Sequence, residues 1–206
     1  MTARQLVLAG VALLGMGSMV VADPLTCKTF KDRLGEALVD AADLGSEAPD
    51  FKDSRSTTEG GSHANWTTSA LTGSLACGPG DRFQEFYVSL TVANRDRFAD
   101  QLRRLVALDG AAVCSVAAGS AAACGDTGKL LVQDAMQQMG VGFKRRATNP
   151  SGTSDRLLWP DLKLEMTAAP TLITFSMAVP DGATLAEARR PLPALALPPA
   201  NVAPTP

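Results

Sequence analysis

Four cysteines, one histidine and a loose run of acids are the residues of this chain whose types lend themselves to chemistry. Cys27, Cys77, Cys114 and Cys124 are even in number and include no Cys-x-x-Cys pair. That is the pattern of structural bridges rather than of a redox couple, since nothing in the spacing lowers a thiol pKa. A zinc site asks for closely grouped cysteine and histidine ligands. With a single histidine and no close cysteine pair, neither a metal nor another cofactor is expected. Four cysteines allow three pairings. Cys27–Cys77 with Cys114–Cys124 is favoured, because the second pair closes a short local loop. On the chain-entropy model the first bridge contributes ~4 kcal/mol and the second ~2.8 kcal/mol.

His63 follows Gly60-Gly61-Ser62 and precedes Asn65 and Trp66. A histidine base needs an orienting partner and a nucleophile within reach. Ser62, Ser69 and Asp53 are close in sequence, but sequence neighbours rarely build a triad, so His63 is read as a solvated loop residue and no catalytic residue is assigned. Asp40, Asp43, Glu47, Asp50 and Asp53 could supply paired carboxylates for work on a sugar or a calcium site. The run lacks the alternation and glycine of a calcium loop and reads as a wet face. Gly125-Asp126-Thr127-Gly128-Lys129 is not a phosphate loop: the glycine spacing is wrong and Leu130 follows the lysine where Ser or Thr is required. It reads as a capped helix start.

Two groups are candidates for binding. Lys144, Arg145 and Arg146, with Arg156, could hold an anion, although basic residues at a strand end also discourage edge-to-edge pairing. Tyr87, on the outward face of a strand, and Trp159, before a proline, are the aromatics placed to mark an interface.

The elements that position these groups are read from periodicity. Residues 6–21 are apolar apart from glycines and Ser18, follow Arg4 and end at Val20-Val21-Ala22. Residues 1–22 therefore read as a secretory signal peptide, too short for a membrane span. Its removal takes Arg4 and no acid, so 18 basic residues face 21 acidic ones, a formal charge of −3. Such a charge provides no field to gather nucleic acid, and no stable membrane span is expected after cleavage.

Phe30, Leu34, Ala37, Leu38 and Ala41 share one side of a helix over 28–44, capped by Thr26 and stopped by Gly45. Residues 45–63 read as a loop and 66–76 as a strand. Phe86, Val88, Leu90 and Val92 alternate with polar residues, so 66–93 reads as an antiparallel hairpin. At Asn94 the period changes to that of a helix over 95–109, with Gly110 as its stop. Residues 111–125 read as a compact closed loop. A helix then runs to Met139, a strand is expected to begin at Val141-Gly142-Phe143, and 149–155 is a loop. Leu162, Leu164 and Met166, then Ile173, Phe175 and Met177, form a second hairpin around Ala168-Ala169-Pro170.

The expectation is α+β: two layers, a mainly antiparallel sheet of four to five strands with about three helices packed on it. Residues 23–180 form one domain, and 181–206, rich in proline and alanine, form a flexible tail. The function expected is that of a non-catalytic binding or interaction protein, periplasmic or secreted, whose partner is an envelope protein or cell-wall component. A small hydrolase using His63 or the acidic loop is the alternative from a different class. A structural envelope role for the proline-rich tail is a third.

Overall fold

The strongest alternation in the chain becomes the middle of the sheet. The computed structural model describes residues 23–39, 44, 48–51, 54–57, 59–92, 96–117, 121–141, 152–186 and 192. Within them the order is α1 (Cys27–Val39), β1 (Ser54–Ser56), β2 (Ser62–Thr67), β3 (Leu71–Gly78), β4 (Arg82–Thr91), α2 (Phe98–Val116), α3 (Ala121–Gln138), β5 (Gly152–Trp159), β6 (Leu162–Ala169) and β7 (Leu172–Ala178). The strands form one antiparallel sheet in the order β1-β2-β3-β4-β7-β6-β5, with β4 at its centre. The fold is α+β as expected, but the described sheet has seven strands rather than four to five.

Register aligns the apolar residues across strands. Leu75, Phe86, Met177 and Leu164 are cross-strand partners in one row, and Gly73, Val88, Phe175 and Met166 in the next. All are buried, whereas Lys163, Glu165, Thr174 and Ser176 between them are partly exposed. A period of two thus assigns one face to the core and the other to solvent. The helices cover the core face. Thr26 opens α1 by accepting the Thr29 N–H on its Oγ1 at 3.0 Å, and Asp81 accepts the Lys28 N–H at 3.0 Å. Phe30 of α1 then packs on Phe83 and Phe86, ring centroids 4.7 and 5.4 Å apart.

The structure pairs Cys27 with Cys77 and Cys114 with Cys124, Cα atoms 6.1 and 5.5 Å apart. The first bridge ties the start of α1 to β3. The second joins two helices, not the ends of a closed loop. Gly110 does not stop α2, which continues to Val116, and α3 begins at Ala121. Packing explains the difference. A Cβ on Gly128 would stand 2.6 Å from the Gly110 carbonyl oxygen, so the glycine-rich positions let the two helix backbones approach closely. Burial against α3 outweighs the glycine propensity penalty of ~1 kcal/mol. Gly125 to Lys129 accordingly lie inside α3, not at a helix start.

Three other expectations change. The segment 45–63 contains β1 and the start of β2, and His63 is a strand residue paired with Arg55 and Ala76. The strand expected at 66–76 is two strands, β2 and β3, joined by a turn in which Thr68 Oγ1 accepts the Leu71 N–H at 3.1 Å. Residues 152–155, expected in a loop, belong to β5. In the first and last cases pairing with a neighbouring strand orders a segment whose own composition is polar.

Residues 1–22, Asn94, Gly45, the expected strand beyond Val141 and the proline-rich end from 193 lie outside the described residues. The chain does not leave the domain at Pro180. Leu185 is 5 % exposed, its carbonyl accepts the Leu25 N–H at 2.8 Å, and Ala186 bridges Pro24. Among the described residues no helix is long and apolar enough to cross a membrane.

Candidate functional site

The open face of the sheet is hydroxylated and carries one aromatic residue near its middle. Thr67, Thr72, Ser89, Thr174, Thr167 and Thr153 stand in register across six strands. In the adjacent row Tyr87 is flanked by Ser74 of β3 and Ser176 of β7. Tyr87 is half-buried there, on the outward face where the strand period places it. Trp159 is not a surface aromatic: it is 9 % exposed. Lys144, Arg145 and Arg146 lie outside the described residues, and Arg156 is carried by edge strand β5.

At one end of this face the sheet is interrupted by a bulge. Ala76 pairs with Glu85 but Cys77 pairs with Phe83, so Gln84 is an extra residue on β4. Two residues three apart in a regular strand point to opposite faces. The bulge cancels that offset. Arg82 and Glu85 lie opposite Gly78 and Ala76, which are two apart on β3 and therefore share a face. Phe83 turns into the core, 3 % exposed.

Around this point the chain builds a cleft of ≈ 370 Å³. Ala76, Glu85 and Ala178 line it, with Arg82 and Gln84, and Pro180 to Leu185 form its far wall. Alanine on both strands beside Glu85 leaves its carboxylate standing in a depression. Ser176 donates its hydroxyl to Glu85 Oε1 at 2.9 Å, which orients the carboxylate. Arg82 is held through its Nε, which donates to the Pro79 carbonyl at 3.0 Å. The far wall is tied down by backbone hydrogen bonds: Val179 N–H to the carbonyl of bulge residue Gln84, Phe83 N–H to Leu25, and Leu25 N–H to Leu185, each 2.8 Å. The Cys27–Cys77 bridge lies immediately behind, because Cys77 follows Ala76.

The expected chemical groups do not converge on this cleft. Ser62 and His63 are consecutive in β2 and point to opposite faces. Asp40, Asp43, Glu47 and Asp53 lie outside the described residues. All four cysteines are bonded in pairs. Cys27, Cys77 and Asp81 cluster closely, but both sulfurs are engaged in a disulfide and offer no thiolate to a metal. One buried ionisable group escaped the sequence reading. Asp109 of α2 is fully buried, and burial raises its pKa well above the usual carboxylate value. Neither of its oxygens has a hydrogen-bond partner among the described residues.

Arg82, Glu85 and Asp181 also escaped it. A signal was present: Phe83 and Phe86 are both apolar and three apart at the start of a strand of period two, which is the trace of a bulge. Comparison with protein families, with curated proteins and with solved structures finds no match to this chain.

Proposed function

We propose that this chain is an exported, non-catalytic binding protein of a cell envelope that engages its partner with the open face of the sheet, the cleft at Glu85 being the most specific point of that face. The observation that carries the reading is the cleft itself. A carboxylate oriented by Ser176 stands between two alanines in a walled depression, and a fixed polar group in a concave site is what confers specificity on a ligand pocket. The leader-like first 22 residues and the two disulfides support export. A hydrolase built on His63 is less favoured: His63 stands in the row of Glu85 with Ala76 between them but does not line the cleft, and its neighbouring serine faces the other way.

The test is site-specific photocrosslinking in cells. A crosslinker at Tyr87, on the open face, is expected to capture a partner that one at Leu130, exposed on the opposite layer, does not. The Tyr87 adduct is expected to weaken in Glu85→Gln. Identical adducts from both positions, or an adduct indifferent to Glu85, would overturn the proposal.

A further inference from the structure

We infer that the cleft is a receptor for a small peptide zwitterion, with the ligand's ammonium group on Glu85 and its carboxylate on Arg82. The inference rests on the cleft being the binding site and adds what the cleft would take. Its physical basis is the bulge at Gln84. Without the extra residue, Arg82 and Glu85 would face opposite sides of the sheet. With it, a cation and an anion stand on one face, opposite Gly78 and Ala76. Two residues of β3 separate those positions, a rise of about 7 Å along the strand.

Each group is pre-set and has donor or acceptor capacity left. Ser176 occupies Glu85 Oε1, and no other polar contact holds Glu85 among the described residues, so the second carboxylate oxygen is available to an ammonium. Pro79 occupies Arg82 Nε. The two terminal nitrogens of the guanidinium are left for a carboxylate, which they meet as a planar fork. Asp181, on the wall, adds a second acid to the lining. Opposite charges on one face of the cleft suit a ligand with a free ammonium and a free carboxylate, and an extended dipeptide, whose two residues span at most ~7 Å, is the shortest peptide that carries both. A cavity of ≈ 370 Å³ lies at the small end of the range that holds compact ligands. A simple anion would meet Glu85 and Asp181, and a simple diamine would meet Arg82. Only a ligand with both charges satisfies both ends.

The test is calorimetric titration of the disulfide-bonded protein with Ala-Ala, with N-acetyl-Ala-Ala, with Ala-Ala-amide and with 1,4-diaminobutane. Ala-Ala is expected to bind. The two blocked dipeptides and the diamine are expected to bind about tenfold more weakly or not at all. Glu85→Gln should remove the discrimination against the N-acetylated form, and Arg82→Met the discrimination against the amide. Circular dichroism of both variants confirms that they are folded. Equal binding of the free and blocked dipeptides, or no binding of Ala-Ala at roughly 10 mM, would overturn the inference. The Tyr87 crosslink and its dependence on Glu85 would survive either result, so failure here is distinguishable from failure of the binding reading.

Discussion

Asp109 makes the stability of this fold depend on pH in a direction opposite to that of most carboxylates. It lies on the buried stripe of α2, with Leu105 one turn before it and Val113 one turn after, both fully buried. No described side chain or backbone group donates to either oxygen, and desolvation alone raises its pKa. In the folded protein Asp109 is therefore neutral at pH values where it is already ionised in the unfolded chain. The folded state binds the extra proton, so raising the pH favours unfolding.

The contribution is fully present below the unfolded value of about 3.9 and is lost as pH rises towards the raised folded value. Across that window the slope approaches ~1.4 kcal/mol per pH unit, large against a total stability of about 5–15 kcal/mol. Urea unfolding of the wild type and of Asp109→Asn, at steps from about pH 4 to about pH 8, measures it. Asparagine keeps the shape and cannot ionise. The stability of the wild type relative to the variant should fall as pH rises above about 4, while other titrating groups cancel in the difference. A difference that stays flat over that range would refute the argument and would mean that Asp109 has a partner or is hydrated.

Other consequences are local. Gly128→Ala would place a methyl 2.6 Å from the Gly110 carbonyl and 2.9 Å from Cys114 Sγ, forcing α2 and α3 apart at a cost of about 1–3 kcal/mol in denaturant unfolding. Replacing Cys27 and Cys77 together by alanine opens a 50-residue separation and should cost up to ~4 kcal/mol, against ~2.8 kcal/mol for the Cys114–Cys124 pair, whose separation is 10. Equal losses would argue against the chain-entropy account. Gly73→Val puts a side chain into the Trp66 ring, which lies over Gly73 from the neighbouring strand. The variant should lose stability and show altered tryptophan emission, and unchanged emission would mean that the ring does not sit there.

Alternation and helical periodicity were legible wherever a segment's own pattern agreed with its burial. The strand from Phe86, the hairpin around Pro170, the helix after Cys27 and the α+β class all follow from apolar spacing, because one face of each element must meet a core. The favoured cysteine pairing also agrees with the structure, although the short bridge joins two helices rather than closing a loop. What the sequence could not determine by itself were features that depend on a neighbour. Gly110 looks like a helix stop until Gly128 lies against it. The polar residues 54–56 look like loop until β2 supplies partners for their backbone. Leu185 looks like tail until Leu25 reaches it. The cleft belongs to the same class. Arg82 and Glu85 share a face only because β3 imposes a register that leaves Gln84 over; the Phe83–Phe86 spacing marks an irregularity, but the partner strand and register that turn it into a cleft are set by contacts between residues distant in sequence.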